Sequence, residues 1–129
     1  MRADGCSDFM FAGNVFRGFG GEGVALLNVH NAAVTGNVMR DFGQGALRVS
    51  GGDRKTLTSS GVVVTDNDIA WSGRWKRTYA PGLHLSGCGT EVAYNHFHDM
   101  PSSALRLEGN DHRIVSNVIE RVVTESDDQ

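Results

Sequence analysis

The chain has 129 residues, of which 12 are Lys or Arg and 15 are Asp or Glu, a formal charge of −3. One domain is the expectation at this length. With 40% hydrophobic and 21% charged residues the chain reads as globular rather than disordered, no stretch approaches the ~18 apolar residues of a membrane span, and basic residues are too few for a nucleic-acid footprint. Glycine stands out at 17 residues against only 2 prolines, about double its usual ~7% share. That balance suggests many sharp turns without a flexible linker. Met1 to Gly5 lacks the apolar run of a signal peptide.

In chain order, one pattern recurs five times. An Asn is preceded three residues earlier by a large apolar residue and followed two residues later by another. The segments are Phe11 to Phe16 around Asn14, Val34 to Met39 around Asn37, Val64 to Ile69 around Asn67, Val92 to Phe97 around Asn95, and Ile114 to Ile119 around Asn117. The Asn spacings are 23, 30, 28 and 22 residues, so a unit near 22 is lengthened twice. A second block of strand-like alternation precedes them: Leu47-Arg-Val49, Gly82-Leu83-His84-Leu85 and Ala104-Leu105-Arg106-Leu107, with Ala25 to Leu27 as the counterpart in the second repeat.

No segment sustains helical apolar spacing over ten residues. Units this short cannot bury an apolar face alone but can when stacked. The predicted fold is therefore all-β: a single right-handed parallel β-helix over residues 1–129, of about five coils, each rising by ~4.8 Å. Asn14, Asn37, Asn67, Asn95 and Asn117 then form a ladder at one turn, where Asn tolerates a left-handed backbone and its amide bonds the next Asn. Cys6 and Cys88 lie about three coils apart, too far for a bridge, so both are expected as free thiols packed in the coil. Neither end shows a helix or a polar cap. The chain is read as an internal, truncated piece of a larger β-helix whose flanking coils are its partners, the alternative being end-to-end self-association.

Two insertions leave the coil. Gly51 to Ser60 is polar and expected to be mobile; Ser72 to Ala80 is basic and aromatic, with Arg74, Trp75, Lys76, Arg77 and Tyr79 following Trp71. Aromatic faces stack on sugars and Arg or Lys holds acidic groups; packing of the loop onto the coil is the alternative. On the first strand, Leu26, Arg48, His84 and Arg106 form an outward column beside Asn28, Ser50, Ser86 and Glu108. Such a cationic strip suits an anionic sugar such as a uronate, which the basic loop would overhang. A solvated face with an Arg106–Glu108 contact is the bland alternative.

Three further patterns bear on chemistry. Gly18-Phe-Gly20-Gly-Glu-Gly23 has the spacing of a dinucleotide fingerprint, but a strand follows where a helix is required, so it reads as a turn between coils. His96 and His98 point outward with Asp68 and Glu120 on neighbouring rungs. Two His and two carboxylates suit a metal, yet cross-strand pairs account for them equally, and neither metal nor cofactor is assigned. The acidic segment Glu120 to Gln129 offers paired carboxylates of the kind glycoside hydrolysis needs, or is a frayed tail.

Asn67-Asp-Ile69, Arg77 to Gly87, Tyr94 to Pro101, Glu108-Gly-Asn-Asp-His-Arg-Ile114 and Thr124 to Asp128 occur in that order. Together they resemble the pectin-lyase-like β-helix repeat proteins, and more narrowly the bacterial β-helix glycoside hydrolases of family 141, over residues 60 to 129. The resemblance implies action on a polysaccharide or oligosaccharide, an extracellular or periplasmic location, and Asp128 as a candidate catalyst supported by Asp127 and Glu125. Arg48, His84, Arg106, Glu108, Trp75, Arg77 and Tyr79 would then hold the sugar. A lyase acting on uronic-acid polymers and a non-catalytic carbohydrate-binding or structural module are the other readings.

Overall fold

The computed structural model describes residues 1–125. Fifteen short strands fall into five repeats of three. The first coil carries β1 (Arg2–Asp4), β2 (Ser7–Ala12) and β3 (Val15–Arg17), and the second β4 (Val24–Leu27), β5 (His30–Thr35) and β6 (Val38–Arg40). The third carries β7 (Leu47–Gly51), β8 (Val63–Thr65) and β9 (Asp68–Ala70). The fourth carries β10 (Leu83–Gly87), β11 (Glu91–Ala93) and β12 (His96–His98), and the fifth β13 (Leu105–Leu107), β14 (Arg113–Val115) and β15 (Val118–Glu120).

Every pairing between strands is parallel, and each strand pairs with its counterpart one coil away. The first sheet is β1-β4-β7-β10-β13, the second β2-β5-β8-β11-β14 and the third β3-β6-β9-β12-β15. This is the parallel β-helix that the repeat implies. No helix long and apolar enough to cross a membrane is present among the described residues.

Alternation sets the core. Leu47, Leu83, Val49 and Leu85 project inward from the first sheet, Val34, Val64 and Val92 from the second, and Met39, Ile69 and Phe97 from the third, all buried. Register keeps like above like, as in Met39 beside Ile69 and Ile69 beside Phe97. The apolar columns run to the last coil, where Leu107 and Ile119 are exposed.

The ladder forms as expected: Asn14, Asn37, Asn67 and Asn95 each donate a backbone N–H and a side-chain N–H to the Oδ1 of the next Asn, at 2.9–3.1 Å. The left-handed backbone, however, is not at the Asn. It falls one residue earlier, at Gly13, Gly36, Asp66, Tyr94 and Ser116, with φ between 52° and 64°. The Asn must aim inward to reach the next rung, so the preceding residue turns the corner facing solvent.

Two further expectations change. Cys6 and Cys88 are both free, but only Cys88 is buried; Cys6 sits at an outer corner. Burial, with Asp111 beside it, pushes the Cys88 thiol up. The Gly51 to Ser60 insertion is no loose loop. Asp53 and Thr58 exchange backbone hydrogen bonds of 2.9 and 3.0 Å to close a hairpin, and Arg54 Nε donates to Asn110 Oδ1 two coils away.

Candidate functional site

Arg48 on β7, His84 on β10 and Arg106 on β13 are direct neighbours across the first sheet. The outward column therefore forms, with one correction. Its member in the second coil is Ala25, which pairs with Arg48, while Leu26 is buried and pairs with Val49. Adjacent leucines at Leu26 and Leu27 leave the inward phase ambiguous in sequence. Pairing of the buried Val24 with Leu47 settles it. Arg2 continues the column beyond Ala25.

The 72–80 loop lies over this column's flank. Its backbone is fastened to the preceding coil: Gly73, Arg74, Trp75 and Lys76 N–H groups donate to the carbonyls of Gln44, Phe42, Gly43 and Gly43. Ser72 Oγ donates to the Ala80 carbonyl and closes the loop's base. Loop and strand together enclose a cleft of about 300 Å³ lined by Arg48, Lys76, Tyr79, His84, Arg106 and Glu22, among others.

The loop divides its aromatic and basic residues between different tasks. Lys76 and Tyr79 face the cleft. Trp75 does not; its indole N–H donates to the Gly20 carbonyl and its ring covers Gly43, where a Cβ would collide with it. Arg77 turns away to pair with Glu125 at 2.9 Å. Trp75 and Arg77 thus hold the loop in place rather than line the cleft. Asp127 and Asp128 lie outside the described residues.

Charge in the cleft is uneven. Glu108 accepts from His84 at 3.2 Å and from Arg106 at 2.9 and 3.0 Å. The bond and charge of His84, then Arg106, hold the Glu108 carboxyl below its ordinary range. Arg48 and Lys76 make no side-chain ion pair among the described residues. Two uncommitted cations in one concave site are poised to hold an anion through charge-assisted bonds.

Lys76 enters the cleft as a member of the basic loop, whereas Glu22 carries no signal of it in the sequence. Glu22 sits in the glycine-rich segment between β3 and β4, which is a turn followed by a strand, as its context implied. Phe19 of that turn packs edge-on between Phe16 and Phe42, and a Cβ on Gly23 would strike the Ala46 carbonyl and the Phe42 ring. Those glycines serve coil packing. Nothing local in the sequence marks Glu22 as bordering the cleft.

A second polar constellation occupies the third sheet. His96 pairs in register with Asp68 and His98 with Glu120, as the repeat implies, yet the side chains bond diagonally. His98 Nε2 meets Asp68 Oδ1 at 2.8 Å and His96 Nε2 meets Glu120 Oε1 at 2.7 Å. The two imidazoles stack with centroids 4.1 Å apart, which slides each toward the other's neighbour. Asp99 accepts from His98 at 2.6 Å and is clamped by Arg121. The bonds from Arg121 and His98 hold Asp99 well below the usual carboxylate range. Partial burial pushes Asp68 up, but bonds from His98 and Arg40 outweigh it and leave it lowered.

A three-sheet parallel solenoid with an internal Asn ladder and a cationic cleft on its first sheet defines the class of this molecule. The chain belongs to the family described as the right-handed beta helix region, whose model matches residues 2–126. No curated protein and no solved structure matches the chain.

Proposed function

We propose that this chain is the sugar-binding β-helix of a carbohydrate-active protein that degrades an acidic polysaccharide, by glycoside hydrolysis as the family resemblance implies. The observation that carries the reading is the placement of Arg48 and Lys76, uncommitted cations among the described residues, beside Tyr79, His84 and Arg106 in one cleft. A uronate carboxylate suits the guanidinium and ammonium, and a pyranose face suits the Tyr79 ring. In hydrolysis one carboxyl protonates the leaving oxygen, while a second attacks the anomeric carbon or activates water. Glu125 is the one of the three proposed catalytic acids that lies within the described residues, and its pair with Arg77 ties it to the loop walling the cleft. Asp128 is proposed to supply one reacting carboxylate, with Asp127 and Glu125 in support.

A lyase is the second reading, favoured by the same uncommitted Arg48 and Lys76. A lyase would need one of them in its deprotonated form to accept the proton beside a uronate carboxylate, while the other, still cationic, holds that carboxylate. The deciding experiment incubates the protein with polygalacturonate and with a neutral glucan. Hydrolysis releases reducing ends without unsaturated uronate, and a lyase releases both. Retention of polygalacturonate without either product leaves a binding module. Equal affinity for the neutral glucan, insensitive to salt, would remove the basis for all three.

A further inference from the structure

We propose that Asp68, His96 and His98, with Glu120 beside His96, form a binding site for a zinc-type divalent cation on the third sheet, separate from the sugar cleft on the first. One ligand atom from each of Asp68, His96 and His98 lies within 4.8 Å of the others. Two imidazole nitrogens and carboxylate oxygens are a common donor set for Zn²⁺. Bonds of about 2.0 Å in a tetrahedron separate the donors by roughly 3.3 Å. The His98–Asp68 contact of 2.8 Å opens by about half an ångström to reach that, and the more exposed His96 ring moves inward.

The side chain of His98 is only 10% exposed and lies between two carboxylates, Asp99 on Nδ1 and Asp68 on Nε2. A neutral imidazole has one N–H, so it donates to one of them and leaves the other facing a lone pair. In the tautomer that donates from Nδ1 to Asp99, the Nε2 lone pair points toward the Asp68 carboxylate, the arrangement in which a cation between them would be held by both. The Nδ1–Asp99 bond is the outer carboxylate–histidine contact that fixes a ligating tautomer. Arg121 holds Asp99, and Arg40 holds the far oxygen of Asp68 at 2.7 Å, so both outer partners are themselves anchored. In the ion pairs around the two histidines, three carboxylates, Asp68, Asp99 and Glu120, are set against two guanidiniums, Arg40 and Arg121. His96 and Glu120, at 40% and 42% side-chain exposure, leave an entry side.

The test is titration of the chelator-treated protein with zinc chloride by calorimetry. One equivalent should bind. His96→Ala and Asp68→Asn should each weaken binding at least about tenfold, while His30→Ala, on the second sheet, should not. Replacing zinc by Co²⁺ should give the visible absorption of a tetrahedral site, lost in His96→Ala. His96 is partly exposed, so that variant should keep the urea midpoint of the zinc-free protein. Failure to bind stoichiometric zinc, or binding unchanged in His96→Ala, would overturn the site and leave the cluster as cross-strand hydrogen bonding.

Discussion

Asn95 Oδ1 accepts two hydrogen bonds from Asn67, one from its backbone N–H at 3.0 Å and one from Nδ2 at 2.9 Å. Asn95 Nδ2 in turn donates to the carbonyl of Val64 at 2.8 Å and to Asn117 Oδ1 at 3.0 Å. One buried side chain thus satisfies donors and acceptors on the coils either side of its own. Asn95→Ala leaves several of these groups unpaired out of water, each costing roughly 1–3 kcal/mol. We expect a loss of about 3 kcal/mol in urea unfolding. Asn117→Ala, at the half-buried end of the ladder, should cost less.

Gly51, Gly87 and Gly109 stack at the corner after the first sheet. A Cβ on Gly87 would fall on the Gly51 carbonyl, and one on Gly109 on the Gly87 carbonyl. Gly87 also has φ of +104°, a region that side chains rarely enter. Gly87→Ala should destabilise the fold by about 3 kcal/mol, combining strain and overpacking. Gly20→Ala, where a Cβ meets nothing within 4 Å, should stay near the wild type. Thermal melting of the two variants compares them directly.

The cleft predicts a division of labour within one loop. Arg48→Ala and Lys76→Ala should each weaken binding of an oligouronate by about tenfold or more, the scale of a lost charged hydrogen bond. Wild-type binding should fall with added salt. Arg77→Ala removes a pair exposed by 52% on both sides, so it should change stability by under about 1 kcal/mol and affinity little. Calorimetry on the three variants checks this.

Acid should act on Asp99. Its folded carboxyl titrates below the unfolded value of about 3.9. Its contribution is therefore complete above that value and is lost as pH falls toward the folded one. Asp99→Asn should lower stability at neutral pH and flatten the acid-unfolding profile below about pH 4. Carbon-detected NMR titration of the Asp99 carboxyl gives the same quantity directly.

The coil architecture was legible because its signals are short-range and repeated: the apolar residue, Asn and apolar residue at fixed offsets, five times. Register followed wherever alternation was clean, as at Arg48, His84 and Arg106. It slipped at Ala25 because two leucines in a row carry no phase. The candidate site was only half legible. Tyr79 and Trp75 look alike in sequence, yet one faces the cleft and the other braces the loop against Gly20 and Gly43. Glu22 lies two coils from His84 in a turn read only as a turn.

By itself the sequence determined the stacked parallel β-helix, the Asn ladder and the cationic column, since a period of about 22 residues and alternation of two place those side chains whatever the loops do. Tertiary structure alone decided where the corners turn left-handed, which loop residues enter the cleft, and that His96 and His98 bond diagonally. Those outcomes depend on contacts between coils and on how side chains fill the space around them, and neither follows from spacing along the chain.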